Sequence, residues 1–118
     1  PVDPSEVKVD RFVLAHDVQG REPVEESERF DVDTKIFAFV QFANPDAAPF
    51  AFRVHWEPME GPASPYGVEL KVETAARFRT WSWTAIPRVP GQYKAVLRTL
   101  DGQTIAEKPF SIELGAQR

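Results

Sequence analysis

Phe50-Ala51-Phe52-Arg53-Val54-His55-Trp56-Glu57 is the stretch on which the fold turns. Phe50, Phe52, Val54 and Trp56 fall on one parity, and Ala51, Arg53, His55 and Glu57 on the other. An extended backbone sends successive side chains to opposite faces, so this segment has one apolar and one polar face, the mark of a half-buried strand. The same period recurs on both sides of it. Upstream, Ile36 to Phe42 is apolar on both parities, as expected of a strand inside a sheet or under a partly covered face. Val7 to Ala15 also alternates, but its parity changes between Val9 and Phe12, which predicts a bulge or a chain shift there. Downstream, Val68, Leu70 and Val72 alternate with Glu69, Lys71 and Glu73. Phe78 to Ile86 is rich in tryptophan and threonine, and Tyr93–Leu100 and Gln103–Leu114 flank Asp101-Gly102.

Seven strands result. Asp-Gly between two of them is a hairpin signal, because a type I′ turn needs positive φ at both central residues. Ile105 and Phe110 have opposite parity around Pro109, which places a second bulge at Lys108-Pro109. Eleven prolines oppose long helices. Glu22 to Phe30 is the one candidate helical turn, or equally an acidic loop. Five prolines and glycines (Pro58, Gly61, Pro62, Pro65, Gly67) stiffen the Pro58–Gly67 loop. The expected fold is all-β: an immunoglobulin-like antiparallel β-sandwich of about seven strands. It covers residues 7–114, between a linker at 1–6 and a C-terminal tail at 115–118. The opening Pro1-Val2-Asp3-Pro4 reads as a linker into a domain cut from a longer protein.

The 118 residues suit one domain, long enough to hide about 65% of the unfolded chain's surface without staples. There is no cysteine, which excludes disulfides, thiolate metal sites and cysteine nucleophiles. No stretch reaches the ~18 apolar residues of a membrane helix. The net charge of −4 argues against global attraction to nucleic acid or an anionic membrane. That charge is uneven. Residues 1–34 carry ten acids against four bases, and residues 75–118 seven bases against three acids. Either folding brings the ends together to neutralise each other, or the second half presents a basic face to an acidic partner.

Catalytic and metal motifs are weak. His16 and His55 are the two histidines, and no nucleophile elbow accompanies them. Asp31-Val32-Asp33 lacks the further oxygen ligands calcium takes. No enzyme activity, no cofactor and no metal are therefore expected. Aromatics and arginines offer more. Arg53 and His55 face away from an apolar parity, while Arg79, Trp81 and Trp83 share one. Should these faces adjoin, Arg53, His55, Arg79 and Trp83 form a binding patch edged by the Pro58–Gly67 loop, since tryptophan and arginine carry most interface energy. The competing reading makes Trp81 the buried core tryptophan with arginines on its rim. Trp56 is core by parity. Arg21-Glu22 reads as a structural salt bridge at a turn.

Several motifs occur in one order: Arg21-Glu22-Pro23-Val24, Val54-His55-Trp56, Phe78-Arg79-Thr80-Trp81-Ser82, Pro90-Gly91-Gln92-Tyr93, Asp101-Gly102 and Phe110-Ser111-Ile112. Over about residues 7 to 114 this order resembles the bacterial domain-of-unknown-function family numbered 2914. The chain departs from that pattern at the Pro58–Gly67 loop, where a simple hairpin is usual, and at Trp83, where a small polar residue is common. The resemblance implies an envelope-associated, periplasmic module of a longer protein and supplies no activity. Together these readings predict a non-catalytic module that binds another protein or a neighbouring domain in the cell envelope, with a carbohydrate-binding module as the alternative. Nucleic acid and direct membrane contact are not expected partners.

Overall fold

The computed structural model describes residues 8–32, 34–44, 50–60, 67–73, 75–84 and 89–114. The expected linker 1–6, the tail 115–118, Asp33 and positions 61–66 of the proline loop lie outside the described residues. Nine strands form among the described residues: β1 (Lys8–Gln19), β2 (Glu22–Glu26), β3 (Arg29–Asp31), β4 (Ile36–Asn44), β5 (Phe50–Pro58), β6 (Val68–Val72), β7 (Ala75–Thr84), β8 (Gly91–Thr99) and β9 (Thr104–Glu113). Two sheets face each other in a β-sandwich arrangement, one ordered β2-β1-β4-β7 and the other β3-β9-β8-β5-β6.

The parity read from the sequence decides what lies between them. Leu14, Ile36, Ala38, Val40 and Phe42 come from the four-stranded sheet. Phe52, Val54, Ala95, Leu97, Phe110 and Ile112 come from the five-stranded one, and all are buried in one apolar cluster. Phe42 of β4 meets Phe50 and Phe52 of β5 edge-on, with ring centroids 5.7 and 5.1 Å apart, and this contact ties the sheets together. Trp56 packs edge-on against Phe110 at 6.0 Å and joins the margin of the core, in line with its parity.

Four expectations need correction. Glu22 to Phe30 is neither helical turn nor acidic loop but the two extra strands β2 and β3. Gly20 (φ 58°) and Arg21 (φ 61°) make a two-residue turn with positive φ at both positions, joining Gln19 to its partner Glu22. Arginine is uncommon there and costs on the order of 1 kcal/mol, which is why the hairpin is hard to read from the chain. Second, the sandwich is not wholly antiparallel, because β3 runs parallel to β9 (Arg29 opposite Ser111, Asp31 opposite Glu113), held by the buried Phe30.

Third, the hairpin at Asp101-Gly102 is present with a different turn. Gly102 N–H donates to Thr99 O (3.0 Å), Thr99 N–H donates to Gln103 O (2.8 Å), and only Gly102 of the loop has positive φ (94°) among the described residues. This is a three-residue loop built on a type I turn with a glycine bulge. Finally, the bulge between Val9 and Arg11 falls where expected, but the one in β9 sits at Ile105 rather than Lys108-Pro109. Pro109 pairs regularly with Lys94. It lies outside the stretch of β9 that β3 covers, so its missing N–H costs no second ladder bond.

Candidate functional site

The four residues expected to form one patch are split between opposite sides of the sandwich. Arg53 and His55 lie on β5, on the outer face of the five-stranded sheet, whereas Arg79 and Trp83 lie on β7, on the outer face of the four-stranded sheet. The single patch therefore does not exist. Parity told correctly which residues turn from the core, but not which sheet each strand joins. Arg53 donates from Nη1 to Leu100 O (3.3 Å) and lies 4.0 Å from Glu69.

His55 points away from the inter-sheet core yet is only 6% exposed. Its cross-strand neighbour Val96 is buried with it, and so is Glu57, at 2% exposure. Arg98 meets Glu57 with both guanidinium Nη atoms, and Nη2 is 3.2 Å from Oε1. The hydrogen bond to Glu57 raises the Arg98 pKa above its ordinary value, against a smaller opposing effect of burial, so the guanidinium stays charged. His55 Nδ1 lies 4.0 Å from the same carboxylate. Gly67 lies against the ring: a Cβ there would stand 2.8 Å from His55 Nε2. Gly67→Ala is accordingly expected to lower stability by about 1–3 kcal/mol through overpacking, readable as a fall in the urea midpoint at unchanged slope. A midpoint equal to wild type would show that the His55 ring yields freely.

The outer face of the four-stranded sheet is built differently. Register places Arg11, Gln41 and Arg79 in one row across β1, β4 and β7, Val13, Phe39 and Trp81 in the next, and Ala15, Phe37 and Trp83 in a third. Trp81 is 37% and Trp83 49% exposed, which settles the status of Trp81: it is not the core tryptophan. Among the described residues β7 is the edge strand of its sheet, and no described strand crowds these indoles from that side. Phe39 is fully buried beneath them, with Trp81 nearly parallel to it (13°, 6.4 Å) and the Arg11 guanidinium 5.7 Å above its ring. Phe37 supports Trp83 at 6.5 Å, and Lys35 Nζ lies 4.5 Å from the Trp83 ring centre.

The β1–β2 hairpin returns across this face. Glu22 sits opposite Gln19, eight residues along β1 from Arg11, a span of about 27 Å in a straight strand. Yet Glu22 is 3.3 Å from Arg11 and 2.7 Å from Arg79. Glu26 also meets Arg11, and Arg79 donates to Gln41 Oε1 (3.1 Å) and to the carbonyl of Arg21 (3.2 Å). The salt bridge read at Arg21-Glu22 is thus made by Glu22, and it joins two of the sequence motifs, Arg21-Glu22 and Phe78–Ser82. Together with Lys108 to Glu28 (3.4 Å), it pairs acids of the first half with bases of the second.

A shallow cleft of about 250 Å³ opens beside Arg79, lined by Arg21, Phe78, Arg79, Thr80 and Trp81. The Arg21 side chain is exposed and has no ion pair among the described residues. Lys35 faces Asp17, whose oxygens already accept from Gln19 Nε2 and the Val18 N–H (both 2.8 Å), so its pKa lies below the usual carboxylate value, chiefly through Gln19. Arg11, Gln41 and Lys35 were missed from the sequence. Lys35, Phe37, Phe39 and Gln41 share the second parity of an apolar strand, and that parity was the available signal.

No family model matches the chain, and no curated protein matches it. Among solved structures it is similar to the alkylpurine DNA glycosylase AlkC of Pseudomonas fluorescens, bound to DNA containing an abasic site analog. The superposition has a TM-score of 0.52 at 12% identity, covering 92% of this chain and 30% of that one, so the chain spans about a third of that protein's length. This finding corrects two expectations. The protein- or sugar-binding module was drawn from tryptophan, arginine and the exposed aromatics of a sandwich, and the exclusion of nucleic acid from net charge; the fold likeness is to part of a DNA-bound enzyme. An overall charge of −4 is an average, and it does not describe the one face where Arg21 and Lys35 flank exposed indoles.

Proposed function

We propose that this chain is a nucleic-acid-contacting β-sandwich module of immunoglobulin-like type, with the outer face of the four-stranded sheet as its contact surface and binding rather than bond breaking as its role. One observation carries the reading: Trp81 and Trp83 are exposed side by side on an edge strand, between two cations, Arg21 and Lys35. Large exposed aromatics beside an arginine with no ion pair among the described residues are better explained by a ligand than by folding. The DNA-bound state of the similar glycosylase structure supports the ligand class. The immunoglobulin-like type draws support from the order β9-β8-β5-β6, which corresponds to strands G-F-C-C′ of that fold.

Fluorescence anisotropy with labelled single-stranded and duplex oligonucleotides tests this. At ~50 mM salt, a dissociation constant of about 1–100 μM is expected for at least one of them. The double variant Arg21→Asn, Lys35→Gln should weaken it about fivefold or more, and asparagine keeps the left-handed turn at position 21. No binding to either oligonucleotide at ~100 μM protein would remove the reading.

A further inference from the structure

Resting on that reading, we infer that the ligand is unpaired nucleic acid, a single strand or bases freed from a duplex, held by stacking on Trp81 and Trp83 with phosphates at Arg21 and Lys35. The distribution of charge decides against an intact duplex. Duplex affinity comes mainly from phosphate neutralisation by many cations. Here Arg11 and Arg79 are already engaged by Glu22 and Glu26, and the chain is net negative. Two cations flanking the indoles cannot hold a duplex tightly, so stacking must supply most of the binding.

Geometry agrees. Trp81 and Trp83 are two residues apart on one strand, a repeat of about 6.7 Å, roughly twice the 3.4 Å rise of bases stacked in a duplex. Neighbouring bases that each lie on one of these indoles must therefore be drawn apart, which paired and stacked bases resist. A duplex also presents base edges in its grooves rather than the faces an indole needs. Trp81 lies nearly parallel to Phe39 on one side and borders the open cleft that holds Arg21. At Trp83, Lys35 Nζ lies over one face of the ring, 4.5 Å from its centre, so a base takes that face only as the flexible lysine side chain swings out to the phosphate. Stacking on aromatic faces tolerates any base, so little sequence preference is expected.

The test compares one sequence as a single strand, as a duplex and as a duplex with a short unpaired gap, read by anisotropy and by quenching of tryptophan fluorescence. The single strand and the gapped duplex should bind at least about fivefold more tightly than the intact duplex. Trp83→Thr and Trp81→Thr should each weaken single-strand binding about tenfold, the typical effect of losing one base stack, while the thermal melt shows each variant folded. The logarithm of affinity should fall against that of salt with a slope near −1.4, for two phosphates on a single strand. Duplex binding equal to or tighter than single-strand binding overturns this inference and leaves nucleic-acid contact standing. Unchanged single-strand affinity in both threonine variants also overturns it, because the indoles would then not be the platform. Failure of all three oligonucleotides to bind removes the underlying reading as well.

Discussion

Arg98→Ala should destabilise the protein by about 3 kcal/mol, among the largest effects of any single substitution outside the apolar core. Glu57 is almost wholly buried, and Arg98 meets its carboxylate through both Nη atoms. Removing one partner of a buried ion pair leaves a charge that burial has stripped of water, and this typically costs 3–5 kcal/mol. Further contacts of Glu57 hold the effect at the lower end. Protonating the stranded carboxylate relieves it, so the deficit relative to wild type should narrow as the pH is lowered. In a domain of this size, 3 kcal/mol corresponds to a melting temperature lower by about 12 °C. Replacing both residues together, Glu57→Gln with Arg98→Met, should cost less than Arg98→Ala alone. A double variant as unstable as the sum of the two singles would show that the pair does not act as a unit.

Phe42→Ala is the second, with an expected loss of about 4 kcal/mol. The ring projects from β4 across the sandwich and touches Phe50 and Phe52 of the opposite sheet. Truncation removes both the transfer free energy of the ring and the contacts of its neighbours, and two sheets that meet through facing rings cannot close the gap without shifting against each other. Stability of such domains is about 5–15 kcal/mol in total, so the variant should be partly unfolded at body temperature if wild type lies at the low end. Urea melts followed by tryptophan fluorescence measure it. A loss below about 1.5 kcal/mol would mean that the sheets collapse around the vacancy. Phe42→Leu should retain most of the stability.

Parity along Phe50–Glu57, Ile36–Phe42 and Val68–Val72 was enough to name most of the inter-sheet core, because burial of one face imposes a two-residue period on the chain itself. It failed at β2 and β3. Glu22–Glu26 is acidic and only half covered, so no apolar period marks it. Phe30 is one buried residue in a strand of three. Arg21 in a left-handed conformation is stabilised by the contact of its carbonyl with Arg79, fifty-eight residues away, and no local rule contains that contact.

The candidate site divides the same way. That Arg53 and His55 turn from the core, and that Arg79, Trp81 and Trp83 share a face, followed from alternation alone. Whether those two faces adjoin did not. Period two assigns each side chain to one side of its own strand and is silent on which sheet the strand enters, since that depends on pairing between segments forty residues apart. The order β1-β4-β7 against β9-β8-β5 sends the two sets to opposite outer surfaces, so Trp83 never meets His55. The return of the β1–β2 hairpin then places Glu22 on Arg11 and Arg79, and the tip of the same hairpin brings Arg21 beside Trp81. Alternation along the chain set seven of the nine described strands, the core parity and the residue types available for binding. Which of them share a surface came from long-range pairing and the fold-back of one hairpin, which set the neighbours.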